Sequence, residues 1–312
     1  MTRGIILKIT ATLIFTLMAV LIKLTGGRFE LGEIAFFRAF FALAVIAIWV
    51  FWQGNARQTL KTQRVPGHIL RGSIGSLGMY CNFAALGLLP LPTATAISFA
   101  APLITVALAA LVLKERVHLY RWSAVAVGFV GVLIMVGSSA FDGGRTLSGP
   151  IIGLLGAFFT ASAVIQTRRL TSTDGTSTVV FYFMLSLTCV STLMLIVAAH
   201  WPPGLVGAKF MEQQRFLLPD WRDGLLLAGI GICGGLGQIF MTESYQHADA
   251  SIIASFDYSS MVWALVLGYG IFDEIASFYV LLGALIVVCA GVFVIWRERK
   301  LGLSGAQSSK VV

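Results

Sequence analysis

The sequence predicts an all-α integral membrane protein whose ten transmembrane helices form two inverted five-helix repeats. Apolar stretches fill nearly all of the 312 residues, and each is about long enough to cross a bilayer core, which needs roughly 20 helical residues. Hydrophobic residues make up 57% of the chain and charged residues only 12%, against about 25% charged in a soluble domain. The second half also repeats positions of the first. Together these observations indicate a chain that folds in lipid.

The apolar stretches give the expected crossings in chain order. The first half contains Ile5–Leu24, Leu31–Trp52, Ile69–Leu89, Thr93–Leu113 and Tyr120–Val136. The second half contains Ser148–Thr167, Ser177–Ala199, Gly224–Glu243, Ala250–Ile271 and Phe278–Trp296. The first stretch is too long for the apolar region of a signal peptide, so we interpret it as a helix.

The distribution of basic residues predicts the orientation of the chain. Lys and Arg number 22 and Asp and Glu number 14. If the N-terminus is cytoplasmic, most of the basic residues fall in cytoplasmic segments, Lys8 among them, as the positive-inside rule requires. Both termini are then cytoplasmic. This accounts for the basic balance without a nucleic-acid partner, and we expect none.

Positions of the first half recur in the second half at one of two offsets. The pairs are Phe15 with Phe159, Gly75 with Gly234, Gly78 with Gly237, and Glu115 with Glu274. The offset is 144 residues for the first pair and 159 for the others. Five crossings per half is an odd number, so the second half must enter the membrane from the opposite side. We expect one repeat over residues 1–140, an inverted repeat over 141–300 and a polar cytoplasmic tail over 301–312.

The residue types that build metal centres and enzyme sites are scarce. The four cysteines all lie in apolar stretches and form no C-x-x-C pair, which is typical of small buried hydrophobes. The four histidines lie at loops or helix ends, and neither H-E-x-x-H nor a Walker-type phosphate loop occurs. We expect no metal and no cofactor, and an intramembrane enzyme is a remote alternative.

Several segments resemble the drug/metabolite transporter superfamily, in particular its ten-helix EamA-type members. They are Glu33–Arg38, Leu70–Gly72, Ala94–Pro102, Leu113–Arg116, Ala250–Tyr258 and Phe272–Glu274. The resemblance covers about residues 5–297 and implies substrate transport without ATP hydrolysis. Met261 stands where the second-half equivalent of Pro102 is usual, so a matching proline kink is not expected there.

Candidate site residues are those that are costly in lipid, because such side chains usually face a cavity or a partner. Asp257, near the middle of the ninth crossing and opposite Ser98 in the repeat, is a candidate proton or substrate contact. A helix–helix hydrogen-bond anchor is the alternative for Asp257. Phe99, Tyr258 and Trp263 share these two crossings and would suit a flat heteroaromatic solute if they face inward.

Four further ionisable residues lie in or near the crossings, and three of them have two possible roles each. Arg38 has the donors to capture a carboxylate or phosphate, or it forms an ion pair with Glu33 or Asp257. Glu33 either gates entry or ends a helix in solvent, and the solvated end is favoured. Glu243, at the inner end of the eighth crossing, relays protons or is merely interfacial. Arg71 is expected to extend to the lipid headgroups.

The leading hypothesis is a secondary transporter of the bacterial inner membrane that moves a small organic metabolite by alternating access. By resemblance, a riboflavin-like vitamin importer ranks first, because a neutral ring stacked on aromatic residues needs no dense acidic lining. S-adenosylmethionine uptake and export of amino acids or drugs are the alternatives. The expected partners are the small-molecule substrate and the lipid bilayer, and a homodimer is left open.

Overall fold

The computed structural model describes residues 2–52, 54, 61–62, 64–112, 119–141, 148–171, 173–200, 219–247 and 255–300. The α-helices are α1 (Thr2–Leu24), α2 (Leu31–Trp52), α3 (Val65–Leu88), α4 (Leu91–Ser98), α5 (Ala100–Val112), α6 (Leu119–Phe141), α7 (Ser148–Thr171), α8 (Thr176–Ala199), α9 (Trp221–His247), α10 (Ser259–Phe272) and α11 (Phe278–Lys300). A short 3-10 helix, η1 (Ser255–Tyr258), precedes α10. All regular structure within these ranges is helical, which confirms the all-α class.

Helix length and composition agree with much of the expected membrane topology. Among the described residues, five helices are long and apolar enough to cross a membrane: Arg3–Leu24, Leu31–Trp52, Ser148–Thr167, Ser177–Val197 and Trp221–Met241. Shorter apolar segments are Leu91–Thr105, Trp122–Met135, Ser259–Phe272 and Phe278–Phe293. The full count of ten crossings and the cytoplasmic termini stay predictions, and the tail at 301–312 lies outside the described residues.

The fourth crossing is two helices and not the single helix expected over Thr93–Leu113. α4 ends at Ser98 and α5 begins at Ala100, with Phe99 between them. The cause is Pro102, which has no N–H to donate to the Ser98 carbonyl and whose ring crowds that carbonyl. The Ser98 hydroxyl donates to the Thr95 carbonyl over 2.6 Å, so this side chain is satisfied within α4.

The ninth crossing is also interrupted, although Met261 replaces the proline there. α10 begins at Ser259, which is 159 residues after the first residue of α5. The first two residues of α10 donate to carbonyls of η1: the hydroxyl of Ser259 to Phe256 over 2.6 Å and that of Ser260 to Asp257 over 2.7 Å. The expected helix over Ala250–Ile271 is therefore wrong for 255–258, and residues 248–254 lie outside the described part.

The strongest helix contacts join residues before position 142 to residues after position 147. α1 packs along α9, α3 along α7 and α6 along α11, while α2 contacts both α8 and α9. Small residues allow this close approach. A Cβ atom at Gly78 would lie 3.2 Å from Phe159 Cβ, and one at Gly237 would lie 2.9 Å from Phe15 Cε1. Phe15 and Phe159 are themselves a repeat pair, so the two contacts are equivalent.

Burial follows the same arrangement, with one face of α2 buried and the other exposed. Ala35, Ala39, Ala42 and Ile46 on one face of α2 are fully buried, since they lie at helical spacing towards α8 and α9. Large apolar side chains are instead exposed on the outside of the bundle, among them Phe40, Ile48, Leu133, Leu193, Leu225 and Leu285. An exterior of this kind is suited to lipid.

The contact between α6 and α11 depends on two glycines that face each other. A Cβ atom at Gly131 would lie 2.7 Å from the Gly283 carbonyl oxygen, and one at Gly283 would lie 2.5 Å from the Gly131 carbonyl oxygen. Both obstacles are backbone atoms, so the helices themselves would have to separate.

We expect Gly131→Ala to lower the thermal-unfolding midpoint of the purified protein in detergent, because overpacking against backbone costs about 1–3 kcal/mol. Gly87→Ala is the matched control, since a Cβ atom there would meet nothing within 4 Å. Alanine favours a helix over glycine by up to about 1 kcal/mol, and this gain is common to both variants. A Gly131→Ala midpoint equal to that of Gly87→Ala would contradict the close approach of the two helices.

Candidate functional site

A buried ion pair joins α1 to the interrupted ninth crossing. Lys8 Nζ lies 2.6 Å from Asp257 Oδ1, with the Lys8 side chain 1% exposed and that of Asp257 32% exposed. One turn further along α1, Thr12 Oγ1 lies 2.8 Å from Ser259 Oγ. We call these four residues (Lys8, Thr12, Asp257 and Ser259) the α1–η1 junction.

The sequence of α1 explains why it forms this junction. Lys8, Thr12 and Thr16 follow each other at intervals of four and so share one helix face. The Thr16 hydroxyl donates to the Thr12 carbonyl over 2.8 Å, which satisfies a threonine that faces the bundle. α1 therefore presents a polar stripe within an otherwise apolar helix, and the junction residues of the ninth crossing pair with it.

The equivalent contact in the other half is apolar. There α7 takes the place of α1 and the α4–α5 break takes the place of η1 and α10. A Cβ atom at Gly153 of α7 would lie 3.1 Å from Ile97 Cγ2. Ser98, the repeat partner of Asp257, uses its hydroxyl within its own helix. The charged contact thus belongs to only one of the two breaks, among the residues described.

Arg38 lies in a second buried site, between α1, α2, α3 and α9. It is 6% exposed, and its Nε donates to Met18 Sδ over 3.3 Å while its Nη1 donates to Met79 Sδ over 3.1 Å. The guanidinium carbon lies 5.9 Å from the centre of the Phe83 ring. We call Met18, Arg38, Met79 and Phe83 the Arg38 pocket.

The structure shows neither of the two ion pairs that the sequence suggested for Arg38. Asp257 pairs with Lys8 instead, and Arg38 forms no ion pair with any carboxylate of the described residues. Glu33 is fully buried, which corrects the expectation of a solvated helix end. It lies in the first turn of α2, where the helix dipole favours a negative charge.

The aromatic candidates do not all line one site. Phe99 is 4% exposed and packs in an apolar cluster with Val132, Met135 and Met261, so it is a packing residue here. Trp263 is partly buried, and its Nε1 has no hydrogen-bond partner in the described part of the chain. The side chain of Tyr258 lies outside that part. Glu243 is partly buried near the end of α9.

Arg71 does not extend to the headgroups as expected. It is 9% exposed, its Nε donates to Thr167 Oγ1 over 3.0 Å, and its guanidinium carbon lies 3.7 Å from the Phe183 ring centre. Its Nη1 is buried without a partner among the described residues. Lys8 needs the same correction, since it is an interior residue and not a loop charge.

At the far end of α1, Glu274 binds two separate elements. Its Oε1 pairs with Lys23 Nζ and its Oε2 accepts a hydrogen bond from the backbone N–H of Leu91 over 2.7 Å. Leu91 opens α4, where unpaired N–H groups and the helix dipole favour a carboxylate. Asp273, in the left-handed region with φ 54°, ends α10 and turns the chain so that Glu274 faces α4.

A third polar cluster, Thr62, His68 and Asp174, joins the start of α3 to the turn after α7. Asp174 Oδ2 accepts from the Thr62 hydroxyl over 2.7 Å and lies 2.7 Å from His68 Nε2. Burial alone would raise the pKa of Asp174. The hydrogen bonds from Thr62 and His68 and the charges of His68 and Arg64 outweigh it, so this pKa lies below its ordinary value of 3.8.

Apolar helices interrupted within the bundle, with buried charges that face other helices, define a multi-pass membrane protein of the transporter class. A profile of the EamA-like transporter family matches residues 2–137 and 147–297. The chain belongs to this family, which confirms the resemblance noted in its sequence.

Named relatives are similar over nearly the whole chain. The pseudopaline exporter CntI of Pseudomonas aeruginosa (strain UCBPP-PA14) is 30% identical, covering 92% of this chain and 94% of the relative. The S-adenosylmethionine uptake transporter of Rickettsia felis is 30% identical, covering 90% and 88%. A solved crystal structure superposes with a TM-score of 0.66 over 96% of this chain and 99% of its own, at 18% identity. That last likeness shows the fold alone.

The lowered pKa of Asp174 gives a stability effect with a defined sign. A folded-state pKa below 3.8 means that the ionised carboxylate stabilises the fold at neutral pH and that this contribution is lost as pH falls through the folded-state pKa. We expect Asp174→Asn to lower the free energy of unfolding at pH 7 by about 1–3 kcal/mol. The difference from the unaltered protein should shrink below about pH 4.

Thermal-unfolding midpoints in detergent at pH 7 and pH 3.5 measure this effect. Asp273→Asn is the matched control, because Asp273 is exposed and asparagine also tolerates the left-handed region. A loss for Asp174→Asn that is the same at both pH values, or no larger than that for Asp273→Asn, would contradict the assignment.

Proposed function

We propose that this chain is a secondary transporter of the bacterial inner membrane and not an enzyme. It moves a small organic metabolite by alternating access between two inverted halves, residues 1–140 and 141–300. The observation that carries the proposal is the Lys8–Asp257 ion pair at an interrupted crossing. Such breaks are where many secondary transporters bind substrates and coupling ions.

The two-half arrangement is supported by equivalent packing. α1 against α9 has its counterpart in α7 against α3, and α2 against α9 has its counterpart in α8 against α3. The breaks also correspond, since α5 and α10 begin 159 residues apart. Helices that mainly contact the opposite half can alternate between two packing arrangements as one half moves against the other.

S-adenosylmethionine is the substrate we propose to test first. Relatives at about 30% identity are named as its uptake transporters, and the molecule carries a sulfonium and an ammonium group together with a carboxylate. Asp257 can attract the cationic groups in competition with Lys8, and Arg38 can donate hydrogen bonds to the carboxylate.

Riboflavin, which ranks first from the sequence, ranks second in this proposal. Its uptake required an aromatic lining from the fourth and ninth crossings. Phe99 is instead part of an apolar packing cluster, so the aromatic argument for a neutral flat ring is weaker. The relative named as a pseudopaline exporter also makes the direction of transport a property to be measured.

The first experiment is counterflow in proteoliposomes loaded with unlabelled S-adenosylmethionine and given the labelled compound outside. We expect saturable uptake that is faster than in unloaded vesicles, because a transporter exchanges substrate across its alternating states. Riboflavin is measured in parallel vesicles. Uptake of riboflavin without uptake of S-adenosylmethionine would reverse the ranking, and the absence of both would remove both substrates.

We expect Asp257→Asn to lower uptake by about tenfold or more, equivalent to at least about 1.4 kcal/mol of lost interaction. The reason is that the neutral amide attracts a cationic group of the solute much less than the carboxylate does. The measurement is the initial rate of labelled-substrate uptake in proteoliposomes.

A second variant separates transport from folding. Asp257→Asn removes the carboxylate that pairs with the buried Lys8, and the loss of one member of a buried ion pair destabilises a protein by up to about 3 kcal/mol. The double variant Lys8→Gln with Asp257→Asn removes both charges, so its unfolding midpoint should recover while its uptake stays low. Recovery of uptake in the double variant would reduce the pair to a helix–helix anchor.

A further inference from the structure

The interior of the bundle contains two arginines whose charges no described carboxylate balances. Arg38 and Arg71 are 6% and 9% exposed. A charge at this depth is costly, and in folded proteins buried charges are normally paired. Lys8 follows that rule through Asp257. The two arginines do not follow it within the described residues, so a different source of negative charge is needed.

The partners that Arg38 does have are weak acceptors. A guanidinium carries five N–H donors, and Arg38 directs two of them to the thioether sulfurs of Met18 and Met79. Thioethers and the face of Phe83 stabilise a cation without binding it in one geometry. The planar N–H fork thus remains suited to a carboxylate or phosphate that enters the pocket.

Arg71 shows the same property more directly. Its Nε has the Thr167 hydroxyl and its planar group stacks on Phe183, but the buried Nη1 has no hydrogen-bond partner in the described chain. Gly75 keeps the space beside that nitrogen open, since a Cβ atom there would lie 2.9 Å from Nη1.

Both arginines adjoin the same helix. Arg71 belongs to α3, and Arg38 contacts α3 at Met79, eight residues further on. At 1.5 Å per residue the two positions are separated by about 12 Å along the helix axis. They are therefore successive positions at different depths of one helix.

We infer that Arg38 binds a carboxylate group of the transported solute and that Arg71 is a second anion-binding position beside α3. This assignment rests on the proposed transport function and adds a substrate class, a metabolite with a carboxylate or another planar anion. A purely structural role for the arginines makes a different prediction. If they only pack, neutral replacements should destabilise the protein and leave substrate selectivity intact.

The test compares S-adenosylmethionine with its decarboxylated analogue in proteoliposomes containing the full chain. We expect the unaltered protein to prefer the carboxylated probe by at least about tenfold in uptake rate at low concentration. Arg38→Gln should reduce that preference to less than about threefold, mainly through a raised half-saturation constant. Arg38→Lys, which keeps the charge but not the planar fork, should recover part of it.

Stability measurements on the same variants exclude a folding defect. Arg38→Gln removes a buried charge without breaking an ion pair, so its unfolding midpoint should equal or exceed that of the unaltered protein. Arg28→Gln is the control for loss of an arginine, because Arg28 is exposed and pairs with Asp223 outside the bundle. Undiminished selectivity in Arg38→Gln, or selectivity lost to the same degree in Arg28→Gln, would overturn the inference.

A binding measurement separates this inference from the proposed substrate. Succinate and uncharged succinamide are each titrated against the purified protein, and the unfolding midpoint is recorded. If S-adenosylmethionine is not transported but succinate alone stabilises the unaltered protein and fails to stabilise Arg38→Gln, the carboxylate site stands and the substrate is wrong. If S-adenosylmethionine is transported without any preference for its carboxylate, the proposed transport function stands and the inferred carboxylate site at Arg38 is wrong. If S-adenosylmethionine is not transported and succinate does not stabilise the protein, both the proposed substrate and the carboxylate site are wrong.

Discussion

Lipid cannot hydrogen-bond a charged side chain or a backbone carbonyl, so wherever a crossing is interrupted the bundle must supply the missing partners itself. The two breaks in this protein differ in the contacts that their polar side chains make. At Ser98 the proline that interrupts the helix is in the sequence, and the Ser98 hydroxyl donates to the Thr95 carbonyl of its own helix. At Asp257 the partner is Lys8, on a helix 249 residues earlier in the chain.

This difference gives the two breaks different physical properties. Pro102 lacks the N–H that the Ser98 carbonyl would accept from whatever its neighbours do, so the interruption between α4 and α5 has a cause within its own segment. The interruption at η1 has no proline, and its side chains pair with Lys8 and Thr12 of α1. It therefore depends on contacts with another helix. The first break is set by a residue within its segment, and the second by its pairing with α1.

The sequence was sufficient for features set by length and local chemistry. Apolar stretches located most helices to within a few residues. Pro102 was recognised as a proline within the fourth crossing, but the division of that crossing into two helices was not predicted, and the role of Asp257 stays a prediction. Lys8 was missed because a lysine six residues into a helix is equally compatible with the interface. Only its partner distinguishes the two cases, and the partner is set by tertiary packing. The burial of Arg71 against Phe183, and a break at η1 without a proline, were hidden for the same reason.

One helix contacts both charged sites, and this gives α1 a particular position in the fold. Lys8 contacts Asp257, and Met18, ten residues or about 15 Å further along the axis, contacts Arg38. Lys23, near the end of α1, pairs with Glu274, which also accepts a hydrogen bond from Leu91 at the start of α4. A solute with charges of both signs would compete with the first contact through its cation and with the second through its anion. Both contacts involve α1, which packs along α9, so under the proposed function a solute at either site acts on the same helix.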